Sequence, residues 1–120
     1  MATVKKRKLS GSTDGIPIKL TDTATSGASL IHTSVAGTTD GTYDEIWIWA
    51  YNGHTVDVVL TVEFGGSTVP DQNIITTIPA KSGLVPILPG LILQNGKTVE
   101  SFASVANVVT LVGFVNTITD

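Results

Sequence analysis

From Ile16 onward, the apolar residues of this chain recur with a period of two, which is the period of a β-strand and not of a helix. The clearest segment covers residues 44–51, where both faces of the expected strand are apolar. The side chains that alternate there are Ile46, Ile48 and Ala50 on one face, and Trp47, Trp49 and Tyr51 on the other. Two apolar faces are typical of a strand that is covered on both sides. The pattern therefore constrains the chain to an all-β fold.

Turn signals predict how the strands connect. Asn52-Gly53 follows the first segment and is a strong hairpin signal, because a type I′ turn needs positive φ at both central residues. We expect residues 54–64 to form the return strand, with alternate residues from Val56 to Phe64 facing the core. Asn95-Gly96 predicts a second hairpin turn into residues 98–105, a segment whose spacing also fits a helix but whose short preceding turn favours a strand. The other expected strands cover residues 16–20, 28–35, 73–78, 84–93 and 108–118.

About eight short strands at close spacing, with no clear helix, predict a single domain of the β-sandwich class. A jelly roll is the leading topology. The 120 residues are enough for one core, and 42% of them are apolar. We therefore expect a jelly-roll-like β-sandwich over residues 16–120.

Residues 1–15 are predicted to form a flexible basic arm that a partner orders. Lys5, Lys6, Arg7 and Lys8 supply four of the seven positive charges, and a Ser/Gly-rich stretch follows them. The remainder of the chain has three lysines against ten acidic residues, a balance of −7. A basic run in front of an acidic body gives only weak, salt-sensitive contact with nucleic acid. We expect the arm to bind a neighbouring protein subunit, and we expect no specific nucleic acid as a partner.

Charged residues make up only 14% of the chain, so the surface is rich in Thr, Ser and apolar groups. A surface of this kind is poorly protected against association, and it predicts self-association. The chain has no cysteine and no apolar run long enough to span a bilayer. We therefore expect a soluble protein that is made in the cytoplasm and has no membrane partner.

The residues that could carry chemistry are few. His32 and His54 are the only histidines, and each fits a solvated or interface position in a strand or turn. A Ser–His–acid triad can assemble from distant residues, but no nucleophile motif supports one here. Asp40 and Asp44 lack the oxygen spacing of calcium loops, and Glu63 fits a solvated outward position. The expectation is a protein that is not an enzyme and needs no metal and no cofactor.

The aromatic row of Trp47, Trp49 and Tyr51 is the candidate binding feature. Aromatic side chains bury large areas and are enriched at protein interfaces, which favours a core or subunit-contact stripe. The alternative is a platform on which sugar rings stack. Burial of the row would favour the first interpretation, and full exposure would favour the second.

Several short stretches resemble small structural proteins of tailed bacteriophages. They are Ile16-Pro-Ile-Lys-Leu, Asp44-Glu-Ile-Trp-Ile-Trp-Ala, Leu60-Thr-Val-Glu-Phe-Gly-Gly, Ile78-Pro-Ala-Lys-Ser-Gly-Leu, Pro89-Gly-Leu-Ile-Leu and Val112-Gly-Phe-Val-Asn. Proteins of this group are β-sandwiches that act as head decoration or cement proteins on the outside of a capsid. The resemblance implies a virion location, the major capsid protein as partner, and a homotrimer at three-fold sites of the lattice. Similar proteins form other virion parts, so a tail-associated structural or host-glycan-binding module is the alternative.

Overall fold

Residues 2–120 are the part of the chain that the computed structural model describes. They contain one three-residue 3-10 turn, Thr25–Gly27, and nine strands. The strands are β1 (Thr3–Lys8), β2 (Ile18–Lys19), β3 (Ser29–Thr33), β4 (Tyr43–Asn52), β5 (Val58–Phe64), β6 (Asn73–Ile78), β7 (Val85–Leu93), β8 (Thr98–Ala103) and β9 (Val109–Thr119).

The strands form two antiparallel sheets. Sheet A has the order β1-β9-β4-β7, with the short β2 also paired to β9, and sheet B has the order β3-β8-β5-β6. The pairing is nested: β1 pairs with β9, β3 with β8, β4 with β7, and β5 with β6. A chain folded back on itself in this way and then wrapped into two sheets is a jelly roll. The predicted all-β, jelly-roll-like β-sandwich is confirmed.

The core lies between the two sheets and follows from the period of two. In β4, buried and half-buried residues alternate along all ten positions, because successive side chains point to opposite faces. Complete burial of a Leu or Ile side chain stabilises the fold by about 1.5–3 kcal/mol before entropy is counted. The larger core residues are Leu9, Leu20, Ile31, Ile46, Ile48, Leu60, Ile78, Leu88 and Leu111.

The predicted hairpin over residues 44–64 is wrong. β4 belongs to sheet A and β5 to sheet B, so the segment between them crosses from one sheet to the other. Neither Asn52 nor Gly53 adopts positive φ. Asn52 is instead buried, and its Nδ2 donates to the carbonyl oxygens of Val56 at 3.0 Å and Ile78 at 2.9 Å. Its side chain therefore stabilises the crossing from sheet A to sheet B. Such side-chain-to-backbone hydrogen bonds are an alternative to the hairpin turn that Asn-Gly predicts.

The second Asn-Gly turn is locally as predicted. Asn95 and Gly96 have φ of 67° and 66°, and the Lys97 N–H bonds the Gln94 carbonyl oxygen, as a type I′ turn requires. The strands on either side are nevertheless in different sheets, because β7 is in sheet A and β8 in sheet B. The turn is therefore not part of a paired hairpin, although residues 98–103 do form the strand that we preferred over a helix.

The N-terminal segment differs from the predicted free arm. Residues 3–8 form β1, which pairs with β9 from Thr3–Thr119 to Lys8–Phe114. All six residues of β1 are exposed, so the strand sits at the sheet edge without entering the core. Leu9 follows and is buried in the core. The domain therefore begins before residue 16, because a charged segment can pair through its backbone without burying its side chains.

Candidate binding face

The aromatic row lies on the side of sheet A that faces away from sheet B, which we call the outer face of sheet A. Trp47, Trp49 and Tyr51 alternate on β4 with core residues and are each half-buried. The structure thus gives neither the full burial of a core stripe nor full exposure. The side chains of β4 alternate between two faces as expected, but the strand is not covered on both sides, because its outer face is only half-buried.

Three of the aromatic rings form a compact cluster. Trp47 and Trp49 have ring centroids 6.4 Å apart and planes inclined by 19°. Phe114 of β9 lies opposite Trp47 in register, and its ring centroid is 6.2 Å from that of Trp47 and 6.1 Å from that of Trp49. Such near-parallel, offset pairs stabilise beyond the area that they bury. Tyr51 lies farther along the strand, opposite Thr110.

Phe114 was missed by the sequence analysis, although a signal for it exists. In β9, Leu111, Val115 and Thr117 are buried while Phe114 is half-buried, so the alternation already separates Phe114 from the core residues. What the sequence does not show is that β9 pairs with β4. That pairing alone places Phe114 beside the two tryptophans.

Two glycines let the cluster form. Gly113 lies opposite Ile48, and a Cβ there would collide with the backbone oxygen of Trp47. Gly90 of β7 has φ +79°, and a Cβ at that position would lie 2.8 Å from Cζ2 of Trp47. The Trp47 indole therefore rests over the backbone of β7. Any larger residue at position 90 would displace it and would also strain the backbone.

Polar groups fix the edge of the cluster. The Trp47 Nε1–H donates to Oε1 of Glu45 at 2.8 Å, and the Asn116 amide donates to the same oxygen at 3.1 Å. These two hydrogen bonds lower the pKa of the Glu45 carboxyl below its ordinary value of 4.5, because they favour the charged form. The bond from Trp47 has the larger effect. The indole is thereby held in one orientation by a carboxylate that is ionised at neutral pH.

The basic residues of β1 have separate roles. The Lys6 ammonium lies 4.3 Å from the centroid of the Phe114 ring, a cation–π geometry, so Lys6 joins the outer face of sheet A. Arg7 donates to the Thr117 hydroxyl at 3.4 Å, and Lys8 donates to the Ser12 carbonyl at 3.0 Å. Lys5 lies opposite Thr117. Lys6 of the predicted arm therefore reaches the predicted aromatic row only through Phe114, which stacks with Trp47 and Trp49.

His32 is not the surface or interface residue that we expected. It is buried, and its Nε2 lies 2.6 Å from Oδ2 of Asp44, which is also buried. Nδ1 of His32 accepts the Ser10 backbone N–H at 3.0 Å, which places the ring proton on Nε2, where it is donated to Asp44. In a catalytic triad the nitrogen facing away from the acid must be free to take a proton from a nucleophile. Here that nitrogen is already engaged, so the pair is a structural link between β3 and β4.

The remaining candidates do not assemble into a site. Among residues 2–120, no group of three or more His, Asp or Glu side chains is placed to hold a metal ion. Glu63 is buried and accepts a hydrogen bond from the Thr25 hydroxyl at 2.9 Å, where a solvated position was expected. A cavity of about 260 Å³ beside the 3-10 turn is lined by small residues, with Asp22 as its charged group. No helix of the described chain has the length and apolar character to cross a membrane.

Comparisons of the chain with protein-family models, with curated proteins and with solved structures find no match. The outer face of sheet A combines accessible aromatic rings with a cation and a carboxylate at their border.

Proposed function

We propose that this protein is a virion structural protein that docks on the outer surface of a phage capsid through the outer face of sheet A and stabilises the shell. The observation that carries the proposal is the half-buried cluster of Trp47, Trp49 and Phe114, bordered by Lys6 and Glu45. The resemblance to phage decoration proteins supplies the identity of the assembly. The partner is then the major capsid protein.

The composition of this face suits a protein partner. Interface centres are enriched in aromatic residues and surrounded by polar groups, and here the aromatic cluster is bordered by a lysine, a carboxylate and the amide of Asn116. The rings are held by a paired sheet and by the Trp47–Glu45 hydrogen bond, so docking costs little side-chain entropy. A rigid face of this kind needs no active site in order to act.

Reinforcement follows from selective binding. A ligand that contacts several capsid subunits at once binds only the assembled shell and stabilises that state by mass action. Many copies on one lattice turn modest affinities into firm attachment. The resemblance implies a homotrimer at three-fold sites, and sedimentation of the purified protein tests that oligomeric state.

A matched pair of phenylalanine variants tests the docking face. Phe114 and Phe102 are both half-buried, and they lie on the outer faces of sheets A and B respectively. Phe114→Ala should weaken co-sedimentation with empty capsid shells about 30-fold, which corresponds to a central contact of about 2 kcal/mol. Phe102→Ala should bind like the wild type, with circular dichroism showing that both variants are folded. Equal binding by both variants, or loss only with Phe102→Ala, would overturn the proposal.

A second candidate function is favoured by the accessibility of the two tryptophans. Trp47 and Trp49 are partly open to solvent and nearly parallel, as a sugar-stacking platform of a tail module would need. This function predicts a saturable change in tryptophan fluorescence on titration with oligosaccharides, and loss of that change in Trp49→Ala. The docking proposal predicts no saturable change.

A further inference from the structure

Three of the four sheet edges carry a recognisable protection against pairing with another chain. β1 carries four consecutive cationic residues, and β7 contains Pro86 and Pro89 and pairs with β4 through two register shifts. β3 is covered by the chain itself, because the Gly11 N–H donates to the Ile31 carbonyl oxygen and the Thr33 N–H donates to the Ser10 hydroxyl. Charges, prolines, bulges and covering loops are the usual devices by which proteins protect sheet edges.

The fourth edge, β6, has none of these devices. Its sequence, Asn-Ile-Ile-Thr-Thr-Ile, carries no charge and no proline, and its register with β5 is continuous. No other strand of residues 2–120 pairs with its second edge. Ile75, at its centre, is 61% exposed. An uncharged, regular edge with an exposed isoleucine at its centre is a template for one more strand.

We propose that β6 pairs with β6 of a second copy of this chain, antiparallel across a two-fold axis, so that the two B sheets become one continuous sheet. With Ile75 opposite Ile75 of the second copy, Ile74 lies opposite Thr76 and Asn73 opposite Thr77. Paired residues in this register are zero, two or four positions apart in the sequence, so both members of each pair lie on the same face of the joined sheet. The two Ile75 side chains, on the same face as Thr61 of β5, then cover each other.

The absence of charge in β6 is compatible with pairing between two copies. Like charges directly opposite each other destabilise a strand pair, and β6 places none in the seam. A two-fold pair is closed and isologous, which is the commonest symmetry of soluble oligomers. The inference specifies the self-association proposed above, and it favours a two-fold contact where the resemblance implies a three-fold one. It does not depend on capsid docking, because β6 belongs to sheet B and the docking face to sheet A.

The absence of cysteine allows a clean cross-linking test. Ile75→Cys places two thiols opposite each other, where directly opposed Cβ atoms are about 4.5–5.5 Å apart. The control is Leu30→Cys, at an exposed position in β3 on the opposite edge of sheet B. Under mild oxidation, full-length Ile75→Cys should form disulfide-linked dimers on the order of a hundredfold faster than Leu30→Cys, because strand pairing raises the effective thiol concentration. Equal rates for the two variants would overturn the pairing.

Charge substitutions give the second measurement. In sedimentation at micromolar concentration, the wild type and Leu30→Lys should both show twice the chain mass of 12.5 kDa. Ile75→Lys should shift to the monomer mass with an unchanged circular-dichroism spectrum, because it places two cations opposite each other between the paired strands.

A monomeric wild type, or a dimer or trimer that persists in Ile75→Lys, would overturn the inference. A protein that dimerises but fails to bind capsid shells would contradict only the capsid proposal. A protein that binds shells but does not dimerise would contradict only the β6 pairing.

Discussion

Asp44 is the acceptor at the centre of a buried polar network. Its carboxylate accepts hydrogen bonds from Nε2 of His32, from the Val35 N–H at 3.2 Å and from the Thr117 hydroxyl at 2.7 Å. Three segments of the chain therefore meet at one buried carboxylate. Its burial could not be predicted from the sequence, because a strand pattern shows which face a residue takes but not which distant donors cover it.

A pair of aspartate variants tests this role. Asp44→Ala leaves two buried donors, on His32 and Thr117, and the part-buried Val35 N–H without an acceptor. We expect the free energy of unfolding to fall by roughly 3 kcal/mol or more. Asp40→Ala, four residues earlier and exposed, should change it by no more than about 0.5 kcal/mol. Urea denaturation measures both variants. Equal, small effects would show that the buried network contributes little to stability.

At the scale of single elements, most strands other than β1 could be predicted, and their partners could not. Residues 73–78 match β6, and the strand expected over residues 84–93 is β7, which lies at an edge of sheet A. The period of two is a local property, which is why it shows in the sequence. Pairing is nonlocal: β1 meets β9 more than a hundred residues away, and consecutive strands such as β4 and β5 lie in opposite sheets. The aromatic row was visible for the same local reason, whereas Phe114 and Lys6 joined it only through strand pairing.

β1 and the residue that follows it should contribute unequally to stability. Deleting residues 2–8 removes only exposed side chains, and the lost backbone hydrogen bonds are largely offset by regained chain entropy. We expect a loss of no more than about 2 kcal/mol in the free energy of unfolding. Leu9→Ala in the full chain should cost about 2–5 kcal/mol, because it opens a cavity in the core. If the truncated chain fails to fold, β1 is an integral part of the sandwich.

On the scale of the whole molecule, the two sheets have different exposed features. Sheet A presents the aromatic cluster with Lys6 at its border, and sheet B presents the uncharged edge of β6. One subunit can therefore contact a second copy through sheet B while sheet A stays free to dock. A two-fold pair of subunits would then offer two aromatic faces to a lattice, and simultaneous engagement of both would strengthen attachment.

The most direct test of the capsid proposal is an electron cryomicroscopy reconstruction of the phage particle in which the proposal places this protein. The account predicts density for the β-sandwich on the outside of the head, with Trp47, Trp49 and Phe114 against the major capsid protein. Density in the tail, or a subunit on the head whose aromatic cluster faces solvent, would contradict it.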